Sequence, residues 1–260
     1  MNRLNGAPTL SVITVCRNSQ ATIGETLHSV AGQTYKNVEH IIIDGLSTDA
    51  TLEIIGNTVP HVQRILSEKD NGIYDAMNKG LALARGDIVG ILNSDDRYVD
   101  NDVLGKVAQA FSALDIDAVW GNIHFVSARD SGKIVRSWRS SPFTPGAFAE
   151  GWHPPHPSFF VKKSVYESCG YFDTRFKVSA DFELMLRFLE KNRIKGYHLD
   201  EFLVNMRMGG ASTGSIRNII TGNLNILRAF KKNGIPVTPL YPFKRLVPKL
   251  RQFLIKGSDE

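Results

Sequence analysis

The first part of the chain alternates between short apolar runs and segments with helical spacing. Residues 10–15 and 38–43 are apolar runs rich in β-branched residues, with the length of buried strands. After the first run, apolar positions recur at Ile23, Leu27 and Val30, as on one face of a helix. Strands that are apolar on both faces and alternate with helices predict a mostly parallel sheet covered by helices on both sides, a Rossmann-like three-layer α/β/α class.

The same alternation continues to residue 92. A weaker strand signal at Ile65 and Leu66 is followed by helical spacing from residue 73 to residue 84, and residues 88–92 are apolar throughout. Ligands of open α/β sheets bind outside the carboxyl ends of the strands. We therefore expect a site built from four segments, residues 16–19, 44–49, 68–72 and 93–96.

The second half of the chain has a different pattern. From Ala118 onward it is typical of hairpin strands, with a turn at residues 130–132. A loop dense in Trp, His and Pro follows at residues 152–157, and the spacing predicts a helix over residues 179–191. The glycine-rich segment 209–214 is the expected boundary between a domain of residues 1–218 and a short helical tail of residues 219–260.

The formal charge of +5 is concentrated in that tail. Residues 219–260 hold eight basic and two acidic residues, whereas the preceding 218 residues carry a net charge of −1. A near-neutral body lacks the wide basic face of a nucleic-acid-binding protein, so no nucleic-acid partner is expected. No apolar run approaches the ~20 residues of a membrane span, and no signal-peptide pattern opens the chain, which favours a cytoplasmic location. Two cysteines are too few for a disulfide scaffold or a zinc cluster.

Adjacent carboxylates follow the apolar strand that ends at residue 92. Asp95 and Asp96 could hold a hard divalent cation through oxygen ligands, while phosphate oxygens and water complete its coordination. Alternatively, both are solvated turn residues or a helix N-cap. The motif gains weight only if other functional groups lie beside it.

Two further acidic positions are candidates for chemistry. Asp44 opens a polar turn at a strand end, where a carboxylate could accept hydrogen bonds from a base N–H or a ribose hydroxyl; the later residues of the turn, Thr48 and Asp49, could equally cap the next helix. Asp181 lies in the first turn of the predicted 179–191 helix, whose dipole favours an ionised carboxylate able to accept a proton.

Three motifs together resemble a known enzyme family. Residues 67–80 read SEKDNGIYDAMNKG, residues 84–87 read ARGD and residues 92–96 read LNSDD. This pattern resembles that of family 2 glycosyltransferases with the GT-A fold, and more narrowly the bacterial enzymes that build O-antigen, capsule and exopolysaccharide. The resemblance extends from about residue 10 to residue 212.

The resemblance implies an inverting transfer of a sugar from a nucleotide-diphosphate donor to a saccharide acceptor, often lipid-linked, with Mg²⁺ or Mn²⁺ under the diphosphate. It implies that Asp95 and Asp96 hold the metal and that Asp181 is the general base. Carried over by position, the donor contacts implied by the resemblance are Thr14, Cys16, Asn18, Asp44, Asp70, Lys79, Asn93 and Asp95.

This sequence departs from the family pattern at two positions. Many members have two consecutive aspartates in the nucleotide turn, whereas this chain has Asp44 followed by Gly45. A carboxylate often placed against uracil is therefore missing, and the identity of the base stays open. Many members also have an aspartate at the start of the metal motif, where this chain has Asn93.

Aromatic and basic residues in the second half are candidates for substrate contacts. Trp152 could stack on an acceptor sugar and His156 could hydrogen-bond one of its hydroxyls, although a Pro-rich loop with Trp can equally be a packed cover. Arg207 could close over the diphosphate, or could be an ordinary surface arginine.

The tail has the pattern of a basic amphipathic helix. Between residues 240 and 256, apolar residues at helical spacing alternate with Lys and Arg, and Pro248 interrupts them. Such a stretch could lie on the anionic inner face of the plasma membrane or dock on the domain. Two other classes stay open: a nucleotidyltransferase, although residues 16–19 lack a glycine-rich triphosphate loop, and a non-catalytic binding protein that uses the basic tail.

Overall fold

The computed structural model describes residues 6–58, 62–209, 216–238 and residue 241. Nine strands form one sheet within these ranges. The strands are β1 (Leu10–Cys16), β2 (Val38–Asp44), β3 (Val62–Ser67), β4 (Ile88–Ile91), β5 (Arg97–Tyr98), β6 (Ala118–Val126), β7 (Ile134–Trp138), β8 (Phe160–Lys162) and β9 (Gly196–Arg207). The helices are α1 (Ile23–Ala31), α2 (Thr51–Thr58), α3 (Ile73–Leu83), α4 (Val103–Ala113), α5 (Lys163–Cys169), α6 (Ala180–Met185) and α7 (Ile216–Asn233).

The first four strands form the parallel part of the sheet, in the order β3-β2-β1-β4. Their register aligns three strand ends, because Cys16 pairs with Asp44 and Asp44 pairs with Ser67. The ends of β1, β2 and β3 therefore lie side by side at one edge, as the sequence predicts.

The second half of the sheet mixes directions. Strand β8 runs antiparallel to β4 and β6, the β6–β7 pair is the predicted hairpin, and β9 runs parallel to β6. The predicted 179–191 helix is present as α6 continued by a π-helical turn, Leu186–Lys191.

Helices cover both faces of the sheet. Along β1, Ile13 and Val15 belong to the core cluster that includes α3 and α6, whereas Leu10 and Val12 belong to the cluster that includes α4. Alternate side chains of a strand point to opposite faces, so the sheet is buried on both. This confirms the three-layer α/β/α class.

Helix α7 packs on the domain through its apolar face. Ile226, Ala229 and Phe230 belong to the main core cluster, and Tyr241 packs edge-on against Phe230. The division expected at residue 218 thus falls inside α7. The predicted amphipathic stretch 240–256 lies outside the described residues, apart from Tyr241. Among the helices that the structure describes, none has the length and apolarity to cross a bilayer.

Candidate active site

Asp44 organises the turn that follows β2. Its side chain is fully buried; Oδ2 accepts hydrogen bonds from the Ser67 hydroxyl at 2.6 Å and the Ser47 N–H at 3.0 Å, and Oδ1 accepts one from the Ser47 hydroxyl. The Cys16 thiol lies 3.7 Å from Oδ1. Burial, followed by the charge of Asp44, raises the pKa of that thiol, so Cys16 stays protonated. The carboxylate therefore shapes the turn rather than facing solvent.

Asn18 joins the loop after β1 to the loop after β2. Its Oδ1 accepts a hydrogen bond from the Thr48 N–H at 2.8 Å, and its own N–H donates to the Ser47 hydroxyl at 2.8 Å. Asn18 and Leu46 both have left-handed backbone, with φ of 51° and 56°. Non-glycine residues adopt this conformation when the surrounding structure enforces it, and they often do so at functional sites.

Asp95 and Asp96 follow the end of β4 and differ in environment. Asp96 is buried, and its Oδ1 accepts a hydrogen bond from the Arg207 N–H at 3.0 Å. Burial and then the charge of Asp95 raise the pKa of Asp96 well above its usual range. Asp95 is half-buried, and no side chain of the described residues donates to its carboxylate. Burial also raises the pKa of Asp95, against the charges of Arg207 and His156.

The Asp95 and Asp96 carboxylates could bind a divalent cation whose remaining ligands come from the substrate. Two adjacent acids with raised pKa values repel each other, and a bound divalent cation would relieve that repulsion. Across the described ranges no three His, Cys, Asp or Glu side chains gather as a complete ligand set. The remaining ligands would have to come from diphosphate and water, as is common for Mg²⁺.

Asp181 lies where three distant segments of the chain meet. Its Oδ1 accepts a hydrogen bond from the Tyr74 hydroxyl at 3.0 Å, and its Oδ2 lies 3.9 Å from Nδ1 of His156. Ser179, two residues earlier, has left-handed backbone with φ 68° and precedes α6. The side chain keeps 29% of its surface exposed, so an acceptor hydroxyl could reach it.

His156 connects Asp181 to the metal motif. Burial lowers the pKa of His156, although the charges of Asp181 and Asp95 act in the opposite direction. Its Nε2 is buried with no hydrogen-bond partner among the described residues. The His156 side chain keeps 18% of its surface exposed beside Asp181, so it could hydrogen-bond a hydroxyl of a substrate that enters there.

Three of the predicted donor contacts are held by other interactions. The Thr14 side chain is fully buried, 3.0 Å from Nε2 of His40. The Lys79 ammonium donates to the Lys69 carbonyl oxygen at 2.7 Å and lies 2.8 Å from Glu68 Oε1. Asn93 Nδ2 lies 3.5 Å from Asp96 Oδ2, and its Oδ1 is buried without a partner in the described part of the chain.

Trp152 and Arg207 are also engaged. Trp152 packs edge-on against Trp120 and Phe148, at ring-centroid distances of 5.9 and 5.4 Å. The Arg207 guanidinium donates to Glu25 and to the Ala128 carbonyl oxygen, each at 3.0 Å. Arg207 would have to leave these partners to close over a diphosphate, while its backbone already contacts Asp96.

The structure adds two contributions that the sequence argument did not assign. Tyr74 lies within the motif of residues 67–80, the long motif, yet only the folded chain brings it to Asp181, 107 residues away. Ser19 and Ser94 join the loop after β1 to the metal motif through hydroxyl groups 2.9 Å apart. No local pattern marks such long-range contacts, so the sequence offers no signal for them.

A mostly parallel α/β/α sheet with acidic side chains at the ends of its strands is the architecture of the GT-A glycosyltransferases. The family model "Glycosyl transferase family 2" matches residues 11–170, and the chain belongs to this family. An uncharacterized glycosyltransferase of Mycobacterium tuberculosis is 35% identical over 187 residues, which are 71% of this chain and 70% of that protein. The chain is therefore a glycosyltransferase, and the alternatives of a nucleotidyltransferase and a non-catalytic binding protein are set aside.

Solved structures that share the fold include the following two. Staphylococcus aureus TarS 1–349 in complex with UDP-GlcNAc superposes with a TM-score of 0.67 at 18% identity, over 95% of this chain and 71% of that chain. Pyrobaculum calidifontis mannosyltransferase PcManGT in complex with GDP-Man and Mn²⁺ superposes with a TM-score of 0.63 at 18% identity, over 98% of this chain and 77% of that chain. At this identity the likeness shows the GT-A fold.

Proposed function

We propose that this chain is an inverting, metal-dependent glycosyltransferase that moves a sugar from a nucleotide-diphosphate donor to a saccharide acceptor in cell-surface polysaccharide synthesis. One observation carries the proposal: His156 lies 3.9 Å from Asp181, a candidate base, and interacts electrostatically with Asp95, a candidate metal ligand. Asp95 and Asp181 are far apart in sequence, and a shared neighbour supports assigning them to one site.

The donor would lie across the ends of β1, β2 and β4. Asp44, Asn18 and Ser47 fix the turns that would flank the base and ribose, with Asp44 acting through the turn that it holds. Asp70, from the loop after β3, and Lys79, from α3, would border the same pocket. Because Gly45 stands where many family members have a second aspartate, uridine is one of several bases to be tested.

The proposed metal site is the Asp95–Asp96 pair. Mg²⁺ or Mn²⁺ bound there would neutralise the charge of the departing nucleoside diphosphate. Asp95 has the open carboxylate and would be the direct ligand. Asp96 is buried and hydrogen-bonded to the Arg207 N–H, so it would hold the motif against β9 and contribute charge. Solved relatives of the fold bind UDP-GlcNAc, or GDP-Man together with Mn²⁺, which supports this arrangement.

The chemical step would be a single displacement. The acceptor oxygen forms a bond to the anomeric carbon while the bond from that carbon to the diphosphate oxygen breaks, and Asp181 takes the hydroxyl proton on Oδ2. His156 would help to orient the hydroxyl, since its Nδ1 lies 3.9 Å from Asp181 Oδ2. Attack opposite to the leaving group, with no covalent enzyme intermediate, inverts the anomeric configuration.

We also propose a lipid-linked acceptor and a protein that is cytoplasmic and peripheral on the inner membrane face. Helix α7 supports this: Ile220 and Leu224 are each 56% exposed. Leu224, Leu227, Arg228 and Lys231 line a shallow cavity of about 510 Å³. Apolar and basic side chains on one helix face suit an anionic bilayer surface. Residues 240–256 would extend that contact.

If deletion of residues 240–260 and Leu224→Asp both leave co-sedimentation with phosphatidylglycerol vesicles unchanged, this part of the proposal is wrong.

The enzymatic proposal is tested by a donor screen. Purified protein is incubated with UDP-, GDP- and TDP-sugars, with Mg²⁺, Mn²⁺ or EDTA, and release of nucleoside diphosphate is measured with and without saccharide acceptors. We expect release with one donor class and loss of that release in EDTA. Release that is equal in EDTA would contradict metal dependence, and a retained anomeric configuration in the product would contradict inversion.

A further inference from the structure

The hydroxyl of Tyr74 is the single side-chain donor that the described residues direct onto Asp181. It donates to Oδ1 at 3.0 Å across 107 residues of sequence. Tyr74 lies in the first turn of α3, within the motif that marks the family resemblance. A group so placed can fix the orientation of the carboxylate without touching the substrate.

The rest of the motif holds Tyr74 in place. Its ring stacks on Phe172, with ring centroids 5.6 Å apart and an interplanar angle of 25°. The Asn78 amide in turn holds Phe172 by its backbone: Nδ2 donates to the Phe172 carbonyl oxygen at 2.9 Å, and Oδ1 accepts from the Phe172 N–H at 3.0 Å. Gly72 precedes the helix with φ 119°, a conformation that favours glycine. Contacts made by residues of the 67–80 motif therefore fix the position of the Tyr74 ring.

The Tyr74 hydroxyl stays protonated. Burial, followed by the charge of Asp181, raises its pKa well above the ordinary value of 10. A protonated phenol can donate to Asp181 while the carboxylate oxygen accepts. The other titratable group that faces Asp181 among the described residues is His156, from the 152–157 loop, and the charge of Asp95 in turn acts on the pKa of His156.

We propose that Tyr74 is a positioning residue for the base, and that its hydrogen bond occupies Oδ1 of Asp181 so that Oδ2 is left to take the acceptor proton. This inference rests on the proposed function, since it requires Asp181 to act as the base. Tyr74 would then act in catalysis through Asp181 rather than in donor binding. If Tyr74 had only a structural role, its substitution would lower the stability of the protein and leave the properties of the base unchanged.

The test compares Tyr74→Phe with Tyr166→Phe. Tyr166 belongs to the same core cluster and packs against Phe172, but it lies outside the Asp181 contacts, so it is a matched loss of one buried hydroxyl. For Tyr74→Phe we expect kcat to fall roughly 10- to 100-fold, since a base misplaced by about 1 Å loses that much. We expect an unchanged KM for the donor and an acid limb of the kcat–pH profile that moves to higher pH. Tyr166→Phe should keep wild-type kcat and the wild-type acid limb.

The outcomes separate this inference from the proposed function. Absence of transfer by the wild-type protein under every donor and metal condition overturns the proposed function, and the inference with it. An active wild type with Tyr74→Phe at wild-type kcat and an unmoved acid limb overturns the inference alone. The position of the acid limb does not depend on the folded fraction. If Tyr74→Phe does not fold, Phe172→Leu, which removes the ring under Tyr74, should shift the limb in the same direction by less; an unmoved limb there overturns the inference.

Discussion

The carboxylate of Asp70 occupies the space that a Cβ atom on Gly45 would need. A Cβ built on Gly45 would overlap Asp70 Oδ2, while Oδ1 of Asp70 accepts a hydrogen bond from the Gly72 N–H at 2.8 Å. The loops after β2 and β3 are therefore in close contact. The Asp70 carboxylate, from the loop after β3, fills the space left by the missing side chain of Gly45 in the loop after β2. We infer that this pair forms one wall of the donor pocket.

Gly45→Ala should weaken donor binding. The added methyl group must displace the Asp70 carboxylate, which can rotate because it is the end of a side chain, so the fold survives and the pocket wall shifts. We expect donor Kd, measured by calorimetry, to rise roughly 10-fold, about 1.4 kcal/mol. Gly56→Ala is the control, because a Cβ there meets no atom within 4 Å. Equal donor affinity in both variants would show that the wall does not bind donor.

Asp95→Asn should stabilise the metal-free protein and remove its response to metal. The folded state raises the pKa of Asp96 above its unfolded value, partly through Asp95, so folding binds protons and stability falls as pH rises above the usual carboxyl range. At pH 7 removal of the Asp95 charge should raise stability by about 1 kcal/mol. Melting curves with and without Mn²⁺ plus nucleoside diphosphate measure both effects. An equal Mn²⁺-dependent shift in wild type and variant would exclude Asp95 as a ligand.

Glu183→Gln should detach α7 from the domain core. Glu183 is fully buried and accepts hydrogen bonds from Arg187, Lys232 and Asn233, at 3.2, 2.9 and 3.0 Å. Although burial alone would raise the pKa of Glu183, the hydrogen bonds and charge of Arg187 lower it overall. Loss of this charge leaves the buried Arg187 guanidinium without its carboxylate partner and should cost roughly 3 kcal/mol.

Urea denaturation measures that loss. The exposed Glu167→Gln is the control, since its ion pair with Lys163 lies on the surface and should contribute less than about 1 kcal/mol. The lowered pKa of Glu183 gives stability that is present above pH 4.5 and is lost as pH falls below it, so the difference between Glu183→Gln and wild type should shrink in acid. An unchanged difference at low pH would contradict the assignment.

The fold was largely predictable because its signals are local. Apolar runs and helical spacing predicted β1, β2, α3 and β4, and the carboxyl-end rule indicated their ends as the candidate site. The point at which the predicted 179–191 helix changes to a π-helical turn was not predictable, because side-chain packing rather than spacing determines it. The extent of α7 was missed for a related reason: its buried face, Ile226 to Phe230, needs a partner surface that only the folded domain supplies.

The residue types of the candidate site could be predicted from the sequence, but the contacts between them could not. Asp95 and Asp181 could be named from their positions, yet their common neighbour His156 emerges only in the folded chain. The environment of Asp44 could not be predicted either. A carboxylate at a strand end is expected to be exposed, whereas hydrogen bonds from Ser47 and Ser67 enclose this one. Spacing along a chain cannot report which hydroxyls will satisfy a buried acid.

The most direct measurement of the central claim is transfer by Asp181→Asn. The amide keeps the size of the side chain but cannot take a proton, so we expect kcat to fall roughly 100- to 10,000-fold with donor Kd unchanged by calorimetry. Glu167→Gln, a surface substitution of the same chemical kind, should keep full activity. Transfer by Asp181→Asn at a rate near that of wild type, with donor bound equally well, would contradict the assignment of Asp181 as the base.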